Sequence, residues 1–423
     1  MEYNFEQIIK LIVHDKQSLF ITGPAGVGKT YLLKKIYEKL KAENKKIVLT
    51  STTGINALNL GGITIHKLMG LQNRSDKGYI GFMKSSFLFR GITKRMTKVD
   101  YIIIDEVSML RADTFELINE ILKQTTKCDK PFGGKVLIFT GDFYQLEPVV
   151  KSWEKKEQWL FDSPSWKSAN IKTIQLTKVY RQTDESFIKF LNSIRTGHWD
   201  ESAKKILTKC KNNKVNEDVT HFFATNDKCE KYNMERLNTI PGKMYSFQAE
   251  IKGKRNKKYK HDKIAIVRDC LAREILNLKV GARVICLIND KKQRYMNGST
   301  GTVVGCDQAN YIVSVRFDHN NEVIKLRRYV WCRLGFDGRP KAKFKQVPLL
   351  PAYALTIHKS QGLTLDSAII DCEGIFACGQ LYVALSRVRN LKNLKVINFN
   401  PQQIKVSNQV KQFYQQLNKY HNS

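Results

Sequence analysis

Apolar residues fall into short blocks along this chain, and the blocks alternate with stretches in which they recur at helical spacing. Ser18 to Thr22, Lys46 to Thr50, Val99 to Glu106 and Lys135 to Thr140 are mostly apolar runs ending in polar side chains. That is the pattern of strands buried on both faces of a parallel sheet. Phe5 to Val13 reads as a helix, and so does Tyr31 to Lys41, where Leu32, Leu33, Ile36 and Leu40 repeat at helical spacing. Strand and helix alternate, which predicts one α/β domain over residues 1–165. Within it, Leu71 to Lys98 has aromatics, glycines and seven basic residues but weak periodicity, and reads as an insertion.

From Ile171 the pattern restarts. Lys172 to Leu176 and His221 to Thr225 read as strands, and Asp184 is placed to cap a helix over Ser186 to Arg195, whose apolar stripe is Phe187, Phe190, Leu191 and Ile194. Between Val280 and Lys345 the texture becomes alternating: Ala282–Ile288, Gly301–Val304, Tyr311–Phe317 and Val323–Leu326, with turns at Asn297-Gly298 and His319 to Asn321. This predicts a small all-β module, a barrel, inserted at 280–345 into a second α/β domain made of 166–279 and 346–423. The parallel-sheet texture returns with strands at Ala368–Asp371 and Leu394–Ile397 and a helix at Gly379–Arg387.

The chemistry begins at Gly23, Pro24, Ala25, Gly26, Val27, Gly28, Lys29 and Thr30, which fit the phosphate-loop pattern at every fixed position and lie between a strand and a helix. Backbone N–H groups and the helix N-terminus would hold phosphate oxygens, Lys29 would reach the β and γ phosphates of ATP, and Thr30 would hold Mg²⁺. Asp105 and Glu106 close an apolar strand as in a Walker B site: Asp105 for the metal, Glu106 to orient the attacking water and take its proton. Asp142 and Gln145 follow another strand end, where a polar side chain senses a γ-phosphate. Arg387 supplies the positive charge that phosphoryl transfer needs. Gln7 has an amide suited to an adenine edge, and an exposed helix glutamine with no such role reads the same way.

The charge narrows the partner. Lys and Arg number 71 against 39 for Asp and Glu, a formal charge of +32, so a polyanion is expected, nucleic acid before a membrane surface. No run approaches the length of a membrane span, and the start of the chain lacks a signal peptide, which predicts a soluble intracellular protein with no membrane partner. Nine cysteines with no C-x-x-C pair argue against zinc or a disulfide framework. The basic run at 252–263 fits a DNA-facing loop, a nuclear import signal or a solvated loop equally.

Together these stretches resemble superfamily-one DNA helicases of the Pif-one kind, with RecD and bacteriophage relatives. The likeness rests on GPAGVGKT, TSTTGINALNLGGITIHKLMG, IIIDEVSML, GDFYQLEPV, LTKVYRQ, SFIKFLNSIRTGHWD, AYALTIHKSQGLTLDSAIID and GQLYVALSRV, in that order. It implies two RecA-like lobes with ATP between them, an SH3-like barrel in the second, and 5′ to 3′ movement on single-stranded DNA, with forked DNA as substrate. It also implies roles in replication, repair and recombination, with partners in those processes, and a monomer. By the same likeness, Gln145 is the γ-phosphate sensor, and Arg181 and Arg387 are the arginines of the second lobe. Gln361 and Gly362 belong to the nucleotide site, and Thr64, His66, His358 and Ser360 fall where relatives contact DNA. Residues 71–98 correspond to the insertion that splits the duplex. The chain departs from the family at Glu147, where proline is usual, and in its short tails, which read as a bare helicase core. Two other readings fit the residues: a translocase acting on RNA or without strand separation, and an ATP-switched structural factor.

Overall fold

The computed structural model describes residues 3–71, 87–148, 159–253, 260–290, 292, 294, 295, 297–334 and 340–422. They divide into two compact units: everything to Tyr180 together with Ser407 onward, and Arg181–Leu334 with Pro340–Val406. Most of the expected insertion at 71–98 and half of the basic run at 252–263 lie outside the described residues.

The first unit is built on six strands, β1 (Leu19–Thr22), β2 (Ile47–Ser51), β3 (Ile63–Thr64), β4 (Tyr101–Asp105), β5 (Val136–Gly141) and β6 (Lys172–Gln175). They form one parallel sheet in the order β3-β2-β4-β5-β1-β6. The alternation of side chains along each strand sorts the core into two layers. Leu19, Ile21, Tyr101, Ile103, Val136, Ile138 and Ile174 face the helices Phe5–Val13 and Lys29–Ala42, which offer Ile8, Ile9, Ile12, Leu33, Ile36 and Leu40. The first of these helices starts at a capping box in which Asn4 and Gln7 exchange bonds between side chain and backbone N–H.

The opposite face is aromatic. Phe20 meets Phe143 at 5.2 Å and Trp166 at 5.3 Å between ring centroids, and Phe139 meets Phe115 of the helix Ala112–Thr126 at 5.7 Å. The helix Asn408–Asn422 completes this layer: Phe413 stacks on Phe161 at 4.4 Å and stands edge-on to Phe143 at 5.4 Å. Such pairs add about 0.5–1.5 kcal/mol each beyond the area they bury.

Two expected boundaries differ from this arrangement. The strand at 172–175, read as the start of the second domain, pairs with β1 (Leu19 with Lys172, Thr22 with Gln175) and closes the first sheet. Residues 407–423, expected with the second lobe, belong to the first unit because their aromatic face covers Phe20, Phe143 and Phe161.

The second unit holds the remaining strands: β7 (Thr220–Phe223), β8 (Tyr245–Gln248), β9 (Glu250–Gly253), β10 (Ile275–Leu278), β11 (Arg283–Cys286), β12 (Thr300–Asp307), β13 (Ile312–Phe317), β14 (Val323–Leu326), β15 (Tyr329–Leu334), β16 (Pro340–Gln346), β17 (Leu349–Pro351), β18 (Ala354–Thr356), β19 (Ala368–Asp371) and β20 (Leu394–Ile397). A parallel sheet, β18-β7-β19-β20, carries the α/β part. Asp184 caps the helix Glu185–Thr196 as its sequence predicts, accepting from the N–H groups of Ser186 and Phe187. The alternating stretch forms a five-stranded antiparallel sheet, β14-β13-β12-β11-β17, around Val284, Val303, Val313, Val315 and Phe317. It recruits Leu349–Pro351, beyond the expected limit at 345, because β17 pairs with β11.

The fold class is thus α/β with two parallel sheets, consistent with RecA-like lobes. None of the described helices is long and apolar enough to cross a membrane. All nine cysteines are free thiols, and burial pushes Cys210, Cys286 and Cys372 up to about 12, leaving them inert as nucleophiles.

Candidate functional site

The strand order places β4, β5 and β1 side by side, so the segments that follow them meet at one carboxyl edge of the sheet. After β1, Gly23 turns with φ +146°, and a Cβ there would stand 2.2 Å from the carbonyl oxygen of Leu176. Only glycine fits between this loop and the chain beyond β6. Gly28 takes φ +84° as the N-cap of the helix Lys29–Ala42, which aims that helix's free N–H groups at the loop. The Lys29 ammonium donates to the carbonyls of Gly23 (2.7 Å) and Pro24 (2.9 Å), so it is held over the cradle formed by Gly23 to Thr30, with Ala25, Gly26 and Val27 between.

β4 delivers the carboxylates. Asp105 is buried at its last position, where its Oδ1 accepts from the Thr140 hydroxyl and from the N–H of Glu106 (3.0 Å), and its Oδ2 accepts from Thr30 Oγ1 (3.4 Å). Burial pushes its carboxyl up from the ordinary range, and the hydroxyls and the Lys29 charge pull against that shift. Glu106 is left-handed, φ 57°, a conformation few side chains adopt. Its carbonyl is held by the Thr52 hydroxyl at 2.7 Å. The segment after β5 bends so that Gln145 Nε2 donates to Asp142 Oδ2 at 3.3 Å and its backbone N–H to Asp142 O at 2.9 Å. A hydroxyl, a buried carboxylate, a lysine and a glycine-lined helix N-terminus are the donor set for a nucleotide phosphate with a hard divalent cation. The residues present fit both groups.

Lys29, Thr30, Asp105, Glu106 and Gln145, which end or follow β1, β4 and β5, therefore lie along one carboxyl edge of the sheet. Gln7 lies at an exposed helix start where its side-chain oxygen caps Asn4. Thr64 stands opposite Ser51, which stands opposite Asp105, so the sheet register puts all three on one edge. The Thr64 hydroxyl caps the short helix that carries His66.

In the second unit the two arginines share a turn. Arg181 Nη1 donates to Ser386 O at 3.0 Å, and Arg387 Nη2 donates to Ser386 Oγ at 2.7 Å. Arg387, expected at the presented end of its helix, is instead 2% exposed, with Nε on the carbonyl of Val383 at 2.8 Å. The physical reason is local: the last carbonyls of the helix Gln380–Leu385 need donors, and a guanidinium beside them supplies them. Ser360 is fully buried with its hydroxyl on Ile357 O at 2.7 Å, so it shapes the turn that leads to Gln361 and to Gly362, φ 83°. His358 stands beside the exposed ring of Phe376. Burial lowers the pKa of His66 and His358, so both imidazoles are neutral at pH 7.

Two residues were not anticipated. Tyr180 donates its N–H to Gly26 O at 2.9 Å while its ring, 67% exposed, lies beside Gly28. Buried Gln182 donates to the carbonyls of Ser386 (3.2 Å) and Val388 (2.9 Å). Both belong to VYRQ, but nothing in that string says which carbonyls it will meet.

Known proteins resemble this chain in sequence and in fold. The family model described as PIF1-like helicase matches residues 2–205. The human ATP-dependent DNA helicase PIF1 is 35% identical over 409 residues, which cover 95% of this chain and 61% of that protein. The chain thus spans about three fifths of that relative's length. The ATP-dependent DNA helicase Pif1 of Campylobacter jejuni is 31% identical, with 98% of this chain and 97% of that protein covered. Among solved structures, Pif1 from a Bacteroides species in complex with ADP-AlF4 superposes with a TM-score of 0.84 at 31% identity, covering 99% and 97% of the two chains. With the phosphate loop, the paired carboxylates and the glutamine-bearing turn on adjacent strands, and with relatives matched over nearly their whole length, the chain belongs to the PIF1-like helicases.

Proposed function

We propose that this chain is an ATP-dependent DNA helicase that moves 5′ to 3′ along single-stranded DNA. The observation that carries this reading is the meeting of Lys29, Thr30, Asp105, Glu106 and Gln145 on one sheet edge, with Thr64 in register on the same edge. Lys29 and the loop N–H groups bind the phosphates of ATP, and Thr30 and Asp105 would hold Mg²⁺, which would supply positive charge against the phosphate oxygens. Glu106 orients the attacking water and takes its proton. Gln145, its amide anchored on Asp142, senses the γ-phosphate, and Arg181 and Arg387 stabilise the charge that develops in transfer. The exposed ring of Tyr180 offers the nucleotide base a stacking face beside the loop, and Gln361 and Gly362 complete the nucleotide contacts.

The two units are the two motor lobes, and the antiparallel module from 280 is the SH3-like insertion. Thr64 and His66 contact the DNA backbone through neutral hydrogen bonds, as does His358. The net charge of +32 favours a polyanion throughout, so affinity falls steeply with salt while sequence preference stays weak. The working species is a monomer on single-stranded or forked DNA.

The test is strand displacement and ATPase activity on 5′-tailed and 3′-tailed duplexes, each in DNA and RNA. ATP-dependent displacement of 5′-tailed DNA, lost in Lys29→Ala, is expected. Displacement only of 3′-tailed or RNA substrates refutes polarity or substrate.

A further inference from the structure

The helix Asn408–Asn422 brings a buried phenol to the root of the phosphate loop. Tyr414 Oη lies 2.7 Å from Thr22 Oγ1, the residue immediately before Gly23. The N–H of Phe143 donates to the same phenol oxygen at 3.1 Å, and Asp142 Oδ1 stands 3.4 Å away. One proton arrangement satisfies all three: Thr22 and Phe143 donate to the phenol oxygen, and the phenol donates to Asp142. Asp142 in turn accepts from Gln145 Nε2 at 3.3 Å and from the Tyr144 N–H at 3.2 Å.

The ring is fixed as firmly as the hydroxyl. Tyr144 stacks on Tyr414 at 4.7 Å with 12° between planes, and the neighbouring Phe413 stacks on Phe161. Rotation of the helix is therefore set by two aromatic contacts, and the phenol arrives at one place. That place joins two strands, since Thr22 ends β1 and Phe143 follows β5.

We infer that Tyr414 is a positioning residue for ATP hydrolysis, tying the root of the phosphate loop to the Asp142–Gln145 turn. The inference rests on the functional reading above. It assigns a task in the chemistry to a residue almost 400 positions from the loop, on a helix that no nucleotide motif includes. The phenol touches no phosphate. It holds Asp142, Asp142 holds the Gln145 amide, and the orientation of that amide decides which of its atoms faces the γ-phosphate.

The experiment uses the whole chain with Tyr414→Phe, which keeps both stacked rings and deletes the hydroxyl. Expected are a kcat for DNA-stimulated ATP hydrolysis lower by about tenfold with KM for ATP within about twofold, as for the loss of one buried hydrogen bond. Amide hydrogen exchange is expected to quicken in 22–28 and in 141–146. In a Gln145→Ala background the same change should lower kcat by less than about twofold further, because the two act as one unit. A kcat within about twofold of the parent, a full additional loss on top of Gln145→Ala, or unchanged exchange in both segments overturns the inference. A parent without DNA-stimulated turnover counts against the helicase reading instead, and exchange alone then decides whether Tyr414 holds the two segments together.

Discussion

Ser386 binds Arg181 through its carbonyl oxygen and Arg387 through its hydroxyl, at 3.0 and 2.7 Å, so one small residue sets the places of both arginines. Gln182 braces the same turn by donating to the carbonyls of Ser386 and Val388. The arginines are thus held by a built scaffold of backbone acceptors rather than left on a mobile surface.

Gln182→Leu removes the brace at nearly constant volume and leaves the Val388 carbonyl, buried, without that donor. A cost of about 1–3 kcal/mol is expected from such a loss. In steady-state kinetics it should appear as a kcat lower by roughly tenfold with ATP affinity little changed. An unchanged kcat would show that the turn holds its shape without Gln182.

Arg387→Ala separates binding from chemistry. ATP affinity should persist, since the loop and its lysine belong to the first unit, while turnover falls by on the order of 10³. Arg387→Lys should recover little, because a point charge cannot reproduce the guanidinium's simultaneous bonds to Val383 and Ser386. Equilibrium binding of a fluorescent ATP analogue beside single-turnover hydrolysis reads the two effects apart.

Gly23→Ala should fail for a geometric reason. Its Cβ would stand 2.2 Å from Leu176 O at a φ of +146°, so either the loop or the segment after β6 must move. Thermal unfolding should show a loss of at least about 1–3 kcal/mol, and nucleotide protection against unfolding should vanish. Gly61→Ala is the control, because that glycine has open space around it and bears only the strain of its φ, +68°.

His221 gives the pH dependence. It is buried in the second unit, with Nε2 3.0 Å from Tyr232 Oη and 3.3 Å from Glu217 O, and burial lowers its pKa despite the pull of Glu217. The folded state then binds its proton less well than the unfolded chain. Stability from this residue is complete above the unfolded value of about 6.5 and is lost as pH falls through it toward the lowered value. His66 and His358 shift the same way, so unfolding free energy should drop between pH 7.5 and 5.5 by at most about 1.4 kcal/mol per pH unit for each. His221→Gln should flatten that slope in denaturant titrations; an identical slope would assign it elsewhere.

Much of this was legible in the sequence because local pattern and chemistry coincide there. GPAGVGKT falls between a strand and a helix and the two carboxylates fall at a strand end, as their patterns say, and Asp184 caps its helix where the spacing says it will. Other features depend on pairing between distant segments. Lys172–Gln175 is a strand by pattern, yet only its register with β1 shows that it closes the first sheet. Arg387 reads as a presented charge, while helix-end carbonyls draw it inside. Phe413 and Tyr414 look like an ordinary apolar stripe, and nothing local reveals that the sheet face they cover lies at the other end of the chain.

That cover also sets a timetable for synthesis. Phe20, Phe143 and Trp166 leave the ribosome long before Phe413, which follows Trp166 by 247 residues. At about 5–20 residues per second the nascent first lobe carries an open aromatic face for on the order of ten to fifty seconds. During that interval it is a client for any chaperone that binds apolar surface, and the aromatic face of its phosphate-loop strand is covered only when distant sequence arrives.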